Sequence, residues 1–150
     1  MTLIWGDKST VFDRLEGSWD LDRHIGGQAS MTGTAVFRRL DLDTLAYREE
    51  ARVQLANGTT LDAHREYRFV RAPRGFAVYF AEQPPRLFHD IEIAPDDNAL
   101  VGSALHLCWP DTYDSVYRFL ADGRFTIRHT VNGPRKDYVS TTLFRRREAQ

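Results

Sequence analysis

At 150 residues, with 42% hydrophobic and 27% charged side chains, the chain is sized for one domain that can bury a real core. A formal net charge of -1 offers no bulk attraction to phosphate backbones or anionic membranes, which argues against nucleic-acid and membrane-surface roles. The single cysteine, Cys108, excludes an intrachain disulfide and fits a reducing compartment.

The first eight residues read as an N-terminal extension, with no basic segment leading into an apolar one as a secretory signal requires. No apolar run approaches the roughly 20 residues that span a bilayer, so the expectation is a soluble, cytoplasmic protein. Residues 9–16 carry the one helical signal: Ser9 or Thr10 can cap it, Asp13 lies in its first turn and Gly17 stops it. From Ser18 onward, runs rich in Val, Ile, Thr, Tyr and Phe alternate with turn residues. They predict strands at 18–25, 31–39, 44–55, 60–70, 75–81, 86–93, 99–108, 113–120, 124–131 and 137–146. Asn57-Gly58 and Asp122-Gly123 are the strongest hairpin signals, because both residue types accept the positive φ of tight turns. About ten antiparallel strands in one meander are better served by closure than by an open sheet, since closure removes the exposed edges. The predicted fold is an all-β barrel of the calycin or lipocalin kind with one short N-terminal helix.

Side chains alternate across a strand, so the apolar parity marks the interior and the polar residues it carries are informative. In the third strand Leu45, Tyr47, Ala51 and Val53 carry Glu49 inward; in the fourth, Leu61, Ala63, Tyr67 and Phe69 carry Arg65, a candidate partner for Glu49. The sixth places His89 inward with Leu87, Ile91 and Ile93, leaving Phe88 outside. The seventh is ambiguous, because Ala104, His106 and Cys108 oppose Val101, Leu105 and Leu107. Tyr113, Tyr117 and Phe119 face in from the eighth strand, His129 with Phe125, Ile127 and Val131 from the ninth, and Tyr138 with Ser140, Thr142 and Phe144 from the last. Buried charges must be paired or bonded. This interior therefore either satisfies itself as a structural network or holds something polar.

Two junction segments stand out, His106-Leu107-Cys108-Trp109-Pro110-Asp111-Thr112-Tyr113 and Asn132-Gly133-Pro134-Arg135-Lys136-Asp137-Tyr138. With Leu15-Glu16-Gly17-Ser18-Trp19, Tyr47-Arg48-Glu49-Glu50, His64-Arg65-Glu66-Tyr67 and Phe88-His89-Asp90, they resemble an uncharacterised family of domains of unknown function, DUF6314, from about Phe12 to Arg145. The resemblance implies a calycin-type barrel and no established activity. The positions carrying it include Arg48, Glu49, Arg65, Tyr67, His89, His106, Asp111, Tyr113, Gly133, Lys136 and Tyr138.

The functional expectation is a small-molecule-binding barrel for an anionic or phenolic organic ligand. Its site residues are Tyr47, Glu49, Arg65, Tyr67, His89, His106, Tyr113, Tyr117, His129, Lys136 and Tyr138. An enzyme is the alternative: His89 or His106 as general base, Arg65 or Lys136 beside a developing anion, and Tyr113 or Tyr138 as proton donor. A third reading is an interaction protein or homodimer. No cofactor is expected, since the histidines lack metal-ligand spacing; a haem would take His129 as its axial ligand. Cys108 reads as a small buried hydrophobe, and Trp5, Trp19 and Trp109 as plugs at the barrel ends.

Overall fold

The structure is a computed structural model and describes residues 4–108 and 110–147, without the side chains of residues 107 and 108. Trp109 and the side chain of Cys108, read above as a plug and a buried hydrophobe, lie outside the described residues. A short helix, α1 (Val11–Leu15), precedes ten strands: β1 (Gly17–Ile25), β2 (Ala29–Asp41), β3 (Thr44–Leu55), β4 (Thr60–Ala72), β5 (Gly75–Phe80), β6 (Arg86–Asp96), β7 (Ala99–Cys108), β8 (Asp111–Phe119), β9 (Phe125–Asn132) and β10 (Asp137–Arg146). Each strand pairs antiparallel with the next, and β1 pairs with β10 to close the barrel. The hairpins form where the turn chemistry predicts: Gly58 and Gly123 take φ of +90° and +94°, and Asp97 reaches +54° between β6 and β7. At Gly33, β2 lies so close to β3 that a Cβ would land on the Glu50 carbonyl oxygen and the Ala51 Cα. Only glycine permits that approach.

One end of the barrel is sealed. Thr10 sits at the helix N-cap position, but its hydroxyl donates to the Trp5 carbonyl (2.7 Å) instead of capping. That bond ties the segment before α1 to the helix start. Trp5 thereby stacks on Trp19 (5.8 Å) and meets Phe119 and Phe125 edge-on. The Arg146 guanidinium covers Trp19 from outside at 4.2 Å, and Arg71 and Arg39 hold Asp13 of α1 at 2.7 and 2.9 Å. An aromatic plug of this kind hides large apolar area with few rotors to freeze.

The opposite end differs in two ways. A register shift where β5 pairs with β6 sets Val78 against His89 but Tyr79 against Leu87. This β-bulge breaks the alternation: Phe88 and His89 are both buried and Leu87 is 46% exposed, which corrects the expected inward Leu87 and outward Phe88. Among the described residues, moreover, the β6–β7 ladder joins only residues 92–96 to 99–103. Toward the open end, residues 86–91 pair with β5 alone and 104–108 with β8 alone. The backbone ladder is interrupted there, with the Phe88 and His106 rings edge-on at 5.3 Å across the gap and Leu87 and Leu105 exposed outside.

Candidate functional site

The interior polar residues form two layers. In the lower layer Arg23 on β1 presents its fork to Glu49 on β3, with Nη1 to Oε2 at 2.7 Å and Nη2 to Oε1 at 3.0 Å. Arg23 Nε donates to Thr142 Oγ1 (2.6 Å), and the Tyr47 hydroxyl donates to Glu49 Oε1 (2.6 Å). Arg23 is 6% and Glu49 3% exposed, so each ion depends on the other. Burial pushes the Glu49 carboxyl up, and the Arg23 fork and Tyr47 hydroxyl more than offset it, leaving it below the usual carboxylate range. Burial likewise raises the Tyr47 phenol far beyond its ordinary value, so it stays a donor.

Arg65 is therefore not the partner of Glu49. The two are cross-strand neighbours in the β3–β4 register, but the Glu49 carboxylate is taken by Arg23, two strands away on its other side. The Arg65 guanidinium lies over the Tyr67 ring at 6.0 Å, and among the described residues no carboxylate is within ion-pair reach of it. Arg23 is the residue that parity should have found: Trp19, Leu21 and Arg23 share one face of β1 and all three are buried.

Above this layer lies a cavity of about 450 Å³ that opens at the unplugged end. Its lining includes Arg65, Tyr67, Phe80, Phe88, His106, Tyr113, His129, Tyr138 and Ser140, with the edge of Arg23 in its floor. Below the floor a space of about 20 Å³ reaches Glu49, Tyr47 and Tyr117, room for a single water. Rings dominate the walls: Tyr67 stacks on Phe88 at 5.7 Å, and Phe88 in turn on His129 at 6.0 Å.

The histidines divide by what their Nε2 atoms meet. His89 Nδ1 bonds the Tyr117 hydroxyl (2.9 Å), while its Nε2 is buried without a partner. His106 lines the cavity, but its Nε2 is also shielded and unpartnered, its ring lying edge-on to Phe88 at 5.3 Å. His129 Nδ1 sits 2.6 Å from the buried Ser115 hydroxyl, and its Nε2, unlike the other two, is not shielded from the cavity. Burial holds all three neutral at pH 7, with neighbouring cations or histidines adding to the effect: His89 is pushed down to about 3, His129 to about 4, and His106 below its ordinary value. Among the described residues no three His, Cys, Asp or Glu side chains converge on a point that could hold a metal ion.

The two unusual junction segments meet at the mouth. Lys136 Nζ lies 3.2 Å from Asp111 Oδ2 and donates to the Tyr113 hydroxyl at 3.2 Å, and these two partners raise the Lys136 ammonium well above its usual value. A side chain at Gly133 would collide with the Asp111 carboxylate. Lys136 thus braces the rim without lining the cavity. Of the expected site residues, Arg65, Tyr67, His106, Tyr113, His129 and Tyr138 line the cavity, Tyr47 and Glu49 form the self-satisfied layer beneath it, and His89 and Tyr117 pair inside the wall.

Among solved structures, a complex of EF1p2_mFAP2b with DFHBI is similar at 10% identity and a TM-score of 0.51, over 94% of this chain and 100% of that one. A structure described as a redesigned beta barrel matches at 11% identity and a TM-score of 0.48, over 95% and 97% of the two chains. The S-type phycobiliprotein lyase CPES from Guillardia theta matches at 9% identity and 0.41, over 93% and 92%. Identities this low speak to fold alone. No curated protein sequence matches the chain. The model of a family of unknown function matches residues 15–146, a span that takes in the last residue of α1, all ten strands and both mouth segments, and the chain belongs to that family, DUF6314.

Proposed function

We propose that the protein binds a small anionic or phenolic organic molecule in the cavity at the open end of its barrel. The observation that carries this reading is Arg65: a guanidinium on the wall of a 450 Å³ cavity with no carboxylate partner among the described residues. The cation beneath it, Arg23, is fully engaged by Glu49. Cavities that hold small ligands pair mostly apolar and aromatic walls with a few polar anchors, and this wall has that composition. The similar barrel solved bound to DFHBI supports the reading.

The test is native mass spectrometry of the protein freshly purified without organic buffers, followed by the same measurement on Ile25→Trp, which fills the rim of the cavity. A small-molecule adduct retained by the wild-type chain and lost in the variant is the expected result. An adduct unaffected by Ile25→Trp would place the binding elsewhere and overturn the reading.

A further inference from the structure

The cavity's charges and rings narrow the ligand further, an inference that rests on the binding reading above. Three arginines contribute to the lining, and two are committed: Arg23 is forked onto Glu49 at 2.7 and 3.0 Å, and Arg86 is bonded to Glu82 at 3.1 Å. Glu66, near the rim, accepts from Arg48 on the outside of the barrel at 2.7 Å. One guanidinium, that of Arg65, is left without an ion-pair partner among the described residues, and Glu49 acts on it only at longer range. A guanidinium at the rim of such a cavity is suited to one carboxylate, which it can grip through two parallel hydrogen bonds.

A second donor stands nearby. Ser115 is fully buried and His129 Nδ1 is its one hydrogen-bond partner among the described side chains. A buried hydroxyl needs an acceptor; Ser115 therefore donates to Nδ1, which leaves the imidazole proton on Nε2, the nitrogen open to the cavity. Arg65 is close enough to His129 for its charge to disfavour a second proton on the ring. Arg65 and the His129 N–H thus stand as a cation and a neutral donor around one space. The wall between them is the row Tyr67, Phe88, His129, whose neighbouring rings are inclined by only 23° and 29°, a face on which a planar ring can lie offset.

We infer that the ligand is an aromatic monocarboxylate, its carboxylate held between Arg65 and the Nε2–H of His129 and its ring laid along Tyr67 and Phe88. A dicarboxylate would bring a second charge for which the cavity has no cation to spare. An aliphatic acid would forgo the ring contacts.

Titration calorimetry with four probes tests this: 2-naphthoate, the neutral 2-naphthol, the aliphatic cyclohexanecarboxylate and the dianion 2,6-naphthalenedicarboxylate, each against wild type, Arg65→Gln and His129→Phe, with melting curves to verify folding. The expected result is tightest binding of 2-naphthoate by wild type. Arg65→Gln should weaken 2-naphthoate by about tenfold or more, the worth of a charge-assisted bond, while 2-naphthol changes by less than about twofold. Arg65 is at the exposed rim of the cavity and outside the buried pair, so that variant should fold; if His129→Phe does not, Arg65→Gln alone decides. Equal affinity of wild type for 2-naphthoate and 2-naphthol, preference for the aliphatic acid or the dianion, or an unchanged 2-naphthoate affinity in Arg65→Gln would overturn the inference. Those outcomes leave the cavity reading standing if an adduct sensitive to Ile25→Trp is still retained; no adduct and no binding by any probe would overturn both.

Discussion

Replacing Glu49 by alanine should be among the most damaging single changes in the protein. The substitution removes the only carboxylate bonded to Arg23 among the described residues; Arg23 is 6% exposed and would keep only Thr142 Oγ1 at 2.6 Å and a weak contact to Met31 sulfur. Breaking one side of a buried ion pair costs about 3–5 kcal/mol, and stranding the Tyr47 hydroxyl, which donates to the same carboxylate at 2.6 Å, adds about 1 kcal/mol more. Against a total stability of about 5–15 kcal/mol, that is a large share. The double variant Arg23→Met/Glu49→Leu removes both charges together and should lie within about 1–2 kcal/mol of wild type, because desolvating two ions offsets most of what their pairing contributes. Urea unfolding followed by tryptophan emission reads both, since Trp5 and Trp19 are buried in the plug at the far end and report global unfolding. A loss under about 1 kcal/mol in Glu49→Ala, or a double variant as unstable as the single one, would refute the claim that the pair is mutually dependent and locked in the floor of the cavity.

Acid should destabilise the fold well above the carboxylate range. The His89 and His129 pKa values are depressed to about 3 and about 4 in the folded state, so their contribution is fully present above the unfolded value near 6.5 and is lost as pH falls from there toward 3–4. His89→Gln, which keeps a partner for Tyr117, should flatten the pH dependence of unfolding free energy between pH 6.5 and 4 by up to about 1.4 kcal/mol per pH unit, one proton's worth; an unchanged slope would contradict the buried neutral histidine. Gly33→Ala should cost about 1–3 kcal/mol in denaturant unfolding, because β2 must retreat from the Glu50 carbonyl of β3, and a neutral effect would mean the strands are not that close. Native-state hydrogen exchange should show faster exchange in residues 86–91 and 104–106, where the β6–β7 ladder is interrupted, than in the paired residues 92–96 and 99–103 of the same two strands; uniform protection along β6 and β7 would contradict the interruption.

Much of the barrel is legible in the chain. Period-two alternation along β3, β9 and β10 places Tyr47, Glu49, His129 and Thr142 on the interior face they occupy, and the Asn-Gly and Asp-Gly pairs locate two hairpins. Parity fails at Leu87 and Phe88, where the bulge adds one residue, while His89, Ile91 and Ile93 beyond it are buried as expected; a bulge depends on how β5 meets β6, which neither strand encodes alone. The partner of Glu49 escapes for a related reason. Cross-strand register makes Arg65 its nearest neighbour, but a long arginine on β1 reaches across the interior, and side-chain reach is a tertiary property. The division of histidines is likewise hidden in the sequence: His89 and His129 read as inward and His106 as ambiguous, and only packing shows that the Nε2 atoms of His89 and His106 are buried without a partner.

The central claim is that one small molecule enters the cavity and meets His129. Long-range ¹H–¹⁵N spectra of the imidazoles test it directly, because the five histidines sample distinct places: His24 and His64 are exposed outside the barrel, His89 is sealed in the wall, and His106 and His129 border the cavity. On saturation with 2-naphthoate the His129 nitrogens should shift most, His106 should follow, and His24 and His64 should stay fixed. Saturable binding that leaves His129 unmoved, or that moves His24 or His64 instead, would contradict the account.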